Sequence, residues 1–463
     1  MELGYPFAPA VVGGEYMQWP LLTELFPTFF PGVQTKRDEL VIDIDRDCLV
    51  RRMKQYFDPS ISNDQMRQIS PRAMARTNRK FDPIATRKAL TARGFLPNYI
   101  VRHLYRPFDR RLLYWEPETE LLGRKSPDYF SQVFSGNAWF GATQQNRKNF
   151  DPPVMSSELC SLHVIERSVS MFPLYLRDAE VATFFSASEA GERSQRANLS
   201  ASATSYVRDV GAQASVQELF YHAVSVQHSS QYYCANIDAL RQNWPRIPLP
   251  SERSVLASSA KLGEQIAALF DTEREIPDVT TGRLRPELRD LAVISRVGGG
   301  GLDPVAGELA LTARWGIAGR DGVTMPSTGK LAERDFTPDE CAALERGAES
   351  LGLTLSRLCE LLGATTYDVY LNDVAYWRNI PTSVWHYTLG GYQVIKKWLS
   401  YRERPILGRD MTADEVREVT GIARRIAALI LLGPALDENY AAITRSLYAL
   451  PSSNPSAAPA GQR

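Results

Sequence analysis

Histidine and cysteine, the side chains that most often act as nucleophile, base or zinc ligand, are few and scattered in this sequence. No two of the five His lie four residues apart, the spacing that places both on one helix face, and no two of the five Cys form a CxxC pair. None of the His lies in a local hydrolase signature. They are His103, His163, His222, His228 and His386, with Cys48, Cys160, Cys234, Cys341 and Cys359. The sequence predicts no metal site and no nucleophile with its base, and the odd Cys count favours a reducing cytoplasm over a disulfide framework.

Two other stretches could contribute to a cofactor or base site. LAVISRVGGGGLDP, residues 291–304, leads an apolar run into glycines, but it lacks GxGxxG spacing and a following amphipathic helix. NFDPPV, residues 149–154, contains the DPP of the turn that amino-methylating DNA methyltransferases use, but Val154 stands where an aromatic ring would stack on the base. Ordinary loops are the simpler interpretation of both, and degenerate catalytic motifs are the alternative.

Positive charge and hydrogen-bonding side chains concentrate in three places. Residues 76–111 contain ten basic residues against two acidic ones, a net charge of +8. QQNRKN, residues 144–149, combines amides that can pair with base edges and cations that can hold phosphate. VWHYTLGGYQVIKKWLSYRER, residues 384–404, sets Lys and Arg among aromatic residues. Solvated basic faces and a packed aromatic core are the alternatives, but three such clusters make DNA or RNA contact the leading interpretation.

The elements that must position these clusters indicate an α+β fold, with a mixed α/β recognition core and helical blocks around it. The chain has 463 residues, 44% hydrophobic and 23% charged, which is typical of a folded protein with two or more packed units. Lys plus Arg and Asp plus Glu number 53 each, so only a local patch could hold a nucleic acid. We expect a strand at residues 40–44, a strand–turn–strand unit at 95–116, and helices capped at Thr337 and Thr412. No export signal and no run of about 18 apolar residues is evident, so we expect a soluble protein.

Changes in composition divide the chain into segments. We expect an N-terminal lead at 1–15, the first part of the recognition core at 16–180, a polar loop at 181–215, a helical segment at 216–270, an irregular insertion at 271–335, a helical block at 336–435 and a disordered tail at 451–463.

Four phrases occur in an order that resembles the C-terminal specificity region of type ISP restriction-modification enzymes. They are PTFFPGVQTKRDELVID (27–43), YRPFDRRLLYWE (105–116), FYHAVSVQHSSQYYCANIDALRQNWPRIPLP (220–250) and IPTSVWHYTLGGYQVIKKWLSYRE (380–403). The first is also similar to the G-[IV]-x-T-x-x-[DN] segment with which the target-recognition domain of many adenine-N6 DNA methyltransferases begins. The resemblance spans roughly residues 16–270 and 365–410, and no methyltransferase, translocase or nuclease motif accompanies it.

The resemblance implies a domain that binds double-stranded DNA and positions it for adenine-N6 methylation and restriction by catalytic domains absent from this chain. It implies no cofactor in this chain and S-adenosylmethionine for a partner methyltransferase domain. The catalytic domains would belong to a longer protein or to a separate methyltransferase or translocase subunit. Two alternatives remain: a divergent methyltransferase active by itself, and a protein-interaction remnant that docks on a partner methyltransferase.

The residues expected to contact DNA come from the first, second and fourth phrases and from the QQNRKN cluster. Thr35, Lys36 and Arg37 would lie at the junction with the methyltransferase, Arg106 and residues 144–147 would read bases, and basic residues of the fourth phrase would face the backbone. The full set is Thr35, Lys36, Arg37, Arg106, Asp109, Arg110, Gln144, Gln145, Asn146, Arg147, Tyr392, Lys396, Lys397 and Arg402. Gly390 and Gly391 should form a tight turn on an aromatic support.

Overall fold

A computed structural model of the chain describes residues 13–76, 79–145, 150–165, 168–177, 195–211, 214–319 and 324–450. The predicted tail and most of the predicted N-terminal lead lie outside these residues. Within them helices and several small sheets alternate, which confirms the predicted α+β class.

The strands are short. They are β1 Phe30–Pro31, β2 Ile42–Asp43, β3 Ile100–Arg106, β4 Asp109–Tyr114, β5 Trp139–Ala142, β6 Val154–Ser156, β7 Leu159–Cys160, β8 Ser170–Pro173, β9 Tyr175–Arg177, β10 Gln195–Ala197, β11 Val293–Arg296, β12 Gly316–Ala318, β13 Thr324–Pro326, β14 Leu331–Arg334, β15 Thr366–Tyr370, β16 Ala375–Pro381, β17 Thr388–Leu389 and β18 Tyr392–Gln393.

The helices are longest in the second half of the chain. They are α1 Leu22–Leu25, α2 Asp38–Val41, α3 Arg46–Phe57, α4 Asn63–Ile69, α5 Pro83–Arg93, α6 Pro127–Ser131, α7 Ala201–Val210, α8 Val216–Gln227, α9 Ser230–Leu240, α10 Arg253–Phe270, α11 Pro286–Arg289, α12 Pro338–Ser350, α13 Leu355–Leu362, α14 Thr382–Trp385, α15 Val394–Ser400, α16 Arg404–Leu407, α17 Ala413–Leu431 and α18 Gly433–Arg445, with 3-10 turns at Tyr16–Gln18 and Pro97–Tyr99.

Two four-stranded sheets form the first half of the molecule. One has the strand order β1-β8-β5-β6, and the other has the order β2-β4-β3-β7, in which β3 and β7 are parallel. The predicted strand–turn–strand unit at residues 95–116 is confirmed as the antiparallel β3–β4 hairpin.

The second half contains an antiparallel sheet with the strand order β11-β16-β15-β14. Its edge strands β11 and β14 lie in the segment predicted as an irregular insertion, residues 271–335. These residues are ordered as strands because each pairs with a strand of the following block. In the predicted polar loop, residues 178–194 lie outside the described part, whereas 201–210 form helix α7.

Helix starts follow the capping patterns of the sequence. Thr337 with Glu340 and Thr412 with Glu415 form complete capping boxes at the starts of α12 and α17, as predicted. The predicted strand at 40–44 is mostly wrong. The N–H groups of Leu40 and Val41 both donate to Arg37 O, so residues 38–41 form the helical turn α2 and only Ile42–Asp43 is a strand. A short buried apolar run fits either conformation.

One large hydrophobic core runs through both halves and includes residues from Leu22 to Leu436. Ala413–Arg445, which contains α17 and α18, is long and apolar enough to cross a membrane by length and composition alone. Its buried face packs on α10, α13 and α14, as in a core helix of a globular domain.

Candidate functional site

Three segments that are far apart in the sequence line one groove. A cavity of about 720 Å³ lies between β3, the β17–β18 hairpin and the loop before α3. A smaller cavity of about 210 Å³ shares Asp38, Arg72 and Arg106 with it. We call these two connected cavities the Arg106 groove. Segments of the first, second and fourth family-like phrases line it, whereas no residue of 220–250 does.

The groove carries more positive than negative charge. Its acidic side chains are engaged: Asp43 pairs with Arg52 at 2.7 Å, and Asp38 accepts hydrogen bonds from the Tyr105 and Thr35 hydroxyls. Seven cationic side chains line the two cavities against four acidic ones, namely Lys36, Arg52, Arg72, Arg106, Arg111, Lys397 and Arg409 against Asp38, Glu39, Asp43 and Asp45.

The loop before α2 presents Lys36 and buries Arg37. Lys36 has a φ of 61° and is exposed, and among the described residues its ammonium group makes no ion pair. Arg37 is fully buried, with Nε donating to Leu121 O at 2.7 Å and its guanidinium 3.5 Å from the centre of the Phe81 ring. Burial lowers the pKa of Arg37 to about 10. In this buried position Arg37 holds the loop that carries the exposed Lys36 and the buried Thr35. Contact of Arg37 or Thr35 with DNA stays a prediction.

Arg106 lies at the end of β3, at the meeting point of the two cavities. Its guanidinium carbon is 4.2 Å from the centre of the Tyr105 ring and 5.0 Å from that of Tyr392. Nη1 donates to Tyr105 O at 2.7 Å, whereas Nε finds no acceptor among the described residues. Burial would lower the pKa of Arg106, but the phenol groups of Tyr401, Tyr105 and Tyr392 outweigh it and the pKa is raised. Arg106 is thus a fixed cation with an unused donor.

Tyr392 is placed by the predicted glycine turn. Gly390 and Gly391 have φ angles of 63° and 76°, which fits a two-residue turn between β17 and β18 that other residues would strain. The Gly390 N–H donates to the Asp151 carboxylate at 2.8 Å. Asp151 of the DPP sequence therefore supports this turn and is not aimed at a base.

The basic residues of the fourth phrase occupy different environments. Lys396 is partly exposed, but Lys397 is buried, its Nζ donating to Thr324 O at 3.2 Å, and this burial lowers its pKa. Arg402 is 1% exposed and stacks 3.4 Å from the centre of the Trp398 ring. Of the cations predicted to face the DNA backbone, Lys396 lies at the surface, Lys397 lines the groove from a buried position, and Arg402 is enclosed.

Asp109 links the two halves of the molecule. Its carboxylate pairs with Arg111 at 2.6 Å and with Arg402 at 3.1 Å, and it is 1% exposed. Burial would raise the pKa of Asp109, but the two guanidinium groups lower it below its ordinary value. Direct DNA contact by Asp109 stays a prediction. Its contribution is to hold Arg111, which stacks on Tyr105 in the groove wall.

Four of the ten basic residues at 76–111 form ion pairs with carboxylates of described residues, and three of these four have partners outside the cluster. Arg93 pairs with Glu116, Arg102 with Glu273, and Arg110 with Asp271 at 2.7 Å. Arg87 is buried and donates to backbone carbonyls. The predicted local charge of +8 is therefore not available as one field, and Arg110 faces an acidic cluster.

The amide cluster stands apart from the groove. Gln144 and Gln145 are exposed beyond the end of β5, and Gln145 Nε2 donates to Gln242 O at 3.1 Å. Neither lines the Arg106 groove, and Asn146 and Arg147 lie outside the described residues.

Sequence reasoning missed Arg72 and His163. Arg72 lines both cavities, and its guanidinium makes no ion pair with a described residue. His163 Nε2 lies 3.2 Å from Gln34 Nε2, and burial lowers its pKa. No motif surrounds either residue, and only the folding of their loops against Arg106 brings them to the groove.

The Gly-rich stretch lacks the structure of a nucleotide loop. It follows β11, an edge strand of an antiparallel sheet, and the exposed residues 298–301 lead into turns and not into a helix. Among the described residues, no group of three His, Cys, Asp or Glu side chains could hold a metal ion.

Comparisons with known proteins agree with this architecture. The family model described as "Type ISP C-terminal specificity domain" matches residues 24–425. No curated protein matches the chain.

Three solved structures share the fold over 93% of this chain. The first is the ATP-dependent type ISP restriction-modification enzyme LlaBIII bound to DNA, with 12% identity, a TM-score of 0.57 and 24% of that chain covered. The second is a nuclease-deletion mutant of the type ISP enzyme LlaGI in complex with a DNA substrate mimic, with 14% identity, a TM-score of 0.51 and 35% of that chain covered. The third is a DrdV–DNA complex, with 18% identity, a TM-score of 0.55 and 36% of that chain covered. The chain thus spans about a quarter to a third of the length of these proteins.

Proposed function

This chain belongs to the type ISP C-terminal specificity domain family, and from that premise we propose that it recognises a sequence in double-stranded DNA through the Arg106 groove. In this proposal it positions the duplex for adenine-N6 methylation and restriction by catalytic domains that lie elsewhere in a longer protein or on a separate subunit. The structural neighbours that share its fold include enzymes bound to DNA, which supports this partner.

One observation carries the proposal. Lys36, Arg72 and Arg106 line a single groove and make no ion pair with any described residue, whereas the neighbouring Arg93, Arg102 and Arg110 are paired with carboxylates. Unpaired cations that share a groove are available to phosphate groups, and each contact releases counterions from the duplex.

The three cations have different tasks in this proposal. Lys36 is exposed on its loop and Arg72 lines both cavities, so both would hold phosphates. Arg106 is held by two aromatic rings where the two cavities meet, and a guanidinium group fixed in this way is suited to the edge of a guanine. Tyr392, fixed by the glycine turn, would keep that guanidinium in one orientation.

The cofactor of the partner domain, the cellular location and the biological role are proposed from the family. The methyltransferase domain that acts on the bound duplex would use S-adenosylmethionine, and the assembly would work in the cytoplasm in defence against phage. Gln144, Gln145, Asn146 and Arg147 remain proposed as DNA contacts. Lys396 would touch the DNA backbone beside the groove.

The proposal is tested by fluorescence anisotropy of a labelled random-sequence duplex, titrated with the chain at two salt concentrations, with the bound molecules then recovered and sequenced. We expect binding that weakens with salt and enriches a short asymmetric motif. Absence of salt-dependent binding would reject the proposal and favour a domain that docks on a partner protein.

A further inference from the structure

A two-stranded ribbon with an exposed apolar pair stands at the rim of the Arg106 groove. Strands β12 and β13 pair antiparallel, and Ile317 lies directly opposite Met325. Ile317 is 52% and Met325 is 51% exposed, and Met325 lines the groove. Ile406 and Leu407 continue this apolar wall.

The ribbon is held firmly at its base. The N–H groups of Arg314 and Trp315 donate to the two carboxylate oxygens of the buried Glu403, at 2.9 and 2.8 Å. Lys397 Nζ donates to Thr324 O from the groove side. At Gly316 a Cβ atom would lie 2.0 Å from Ser400 O, so the strand packs directly on the end of α15. The exposed pair is therefore presented on a rigid support.

We propose that the β12–β13 ribbon enters a groove of the bound duplex and that Ile317 and Met325 contact the apolar surface of bases. This inference rests on the function proposed above. It adds that sequence preference arises partly from apolar contact, while Lys36 and Arg72 supply general affinity. The ligand surface is either a thymine methyl group in the major groove or the face of an unstacked base step.

DNA fits this ribbon better than a protein partner does. The apolar pair borders a groove in which Lys36, Arg72, Arg106 and Lys397 make no ion pair with a described residue, and this positive charge favours an anionic ligand beside the pair. Two paired strands fit the major groove, which is about 12 Å wide. An anionic backbone next to apolar and aromatic surface is the chemistry of a nucleic acid.

The test compares the full chain with the variants I317S/M325S and I84S/V305S in selection from a random-sequence duplex library. Ile84 and Val305 are exposed apolar residues that line neither cavity of the groove, so the second variant is the matched control. We expect the affinity of I317S/M325S for the unselected library to stay within about twofold of that of the original chain. Its preference for the selected base should fall about tenfold at one or a few adjacent positions of the motif. The control should select the unchanged motif.

Two further arms identify the base surface. If the protein contacts thymine methyl groups, the original chain will lose the same base preference when deoxyuridine replaces thymidine in the duplex. If a base step is unstacked, energy transfer between labelled duplex ends will report a bend that I317S/M325S abolishes.

An unchanged motif for I317S/M325S would overturn the inference, even if the variant lost association with a catalytic chain. An equal loss of affinity for all sequences would overturn it as well. Failure of the original chain to bind any duplex would instead reject the proposed function itself.

Discussion

Arg102 and Arg106 lie four residues apart on β3 and end in opposite environments. Arg102 pairs with Glu273 at 3.1 Å, whereas Arg106 lines both cavities of the groove and makes no ion pair with a described residue. We expect Arg106→Gln to reduce discrimination at one base position by about 1–3 kcal/mol. Arg102→Gln removes the same charge from an exposed ion pair and should change binding by less than about 0.5 kcal/mol. Anisotropy titrations with matched and mismatched duplexes measure both, and equal effects would contradict the role of Arg106.

The buried Asp109 carboxylate predicts a stability change. Asp109→Asn leaves the Arg111 and Arg402 guanidinium groups without their carboxylate partner, which should lower the free energy of unfolding by about 3–5 kcal/mol at pH 7. Since the folded pKa of Asp109 lies below its ordinary value, the stabilisation is present above about pH 4 and is lost as the pH falls through the folded pKa.

Urea unfolding at pH 7 and pH 3 checks this prediction. The difference between the original chain and Asp109→Asn should shrink at pH 3. Asp64→Asn, at an exposed residue that pairs with Arg67, should change stability little at either pH. A difference that persists undiminished at pH 3 would contradict the assigned charge pairing.

Single residues show where sequence reasoning reached its limit. Lys36, Arg106, Tyr392 and Lys397 were predicted as one group, and the structure brings them to one groove. Arg110 and Arg402 were included as members of the basic clusters in the second and fourth phrases. Their partners, Asp271 and Asp109, lie 161 and 293 residues away. Only the tertiary fold could show that these charges are already neutralised.

The packing of α8 against α10 gives a prediction at the level of elements. A Cβ atom at Gly263 of α10 would lie 2.0 Å from Tyr221 O of α8. Gly263→Ala should therefore force the helices apart and destabilise the chain by about 1–3 kcal/mol. Gly421 of α17 has nothing within 4 Å of that position, so Gly421→Ala should stabilise the chain by about 0.5–1 kcal/mol. Thermal unfolding of the two variants measures these changes. Shifts of the melting temperature with the same sign in both would contradict the described packing of α8 against α10.

Elements were predictable where local chemistry determines them. The capping boxes at Thr337 and Thr412 require only residues three positions apart, and the β3–β4 hairpin follows from two apolar runs around Pro107. The prediction of a strand at 40–44 was mostly wrong because an apolar run of this length fits a strand and a buried helical turn equally well. The edge strands β11 and β14 were missed because their pairing partners lie more than 30 residues away.

The balanced charge of the whole molecule predicts a shallow salt dependence. With a net charge of zero, attraction of a duplex rests on the few unpaired cations of the Arg106 groove and on Lys396. Three or four phosphate contacts give a slope of log affinity against log salt of about −3 to −4. Lys36→Gln should make it shallower by about 1, whereas Lys330→Gln, whose ammonium pairs with Asp373, should leave it unchanged. A much steeper slope would place the phosphate contacts on other surfaces.

The isolated chain should not bind S-adenosylmethionine. The Asp151 carboxylate is occupied by the Gly390 N–H, and the glycines after β11 do not lead into a helix that could bind a cofactor. Isothermal titration of the chain with S-adenosylmethionine tests this expectation. Measurable heat of binding would favour an autonomous methyltransferase.

The assembly of the Arg106 groove has a consequence for how such proteins can acquire new specificities. Its walls come from positions 36, 72, 106, 163, 325 and 392, and Asp109 and Asp151 join the distant parts. A gene crossover that exchanges one contiguous stretch would separate these residues from the partners that hold them. New target sequences should therefore arise by point changes within the groove or by exchange of the domain as a unit, and chimeras divided at an internal loop should lose both stability and recognition.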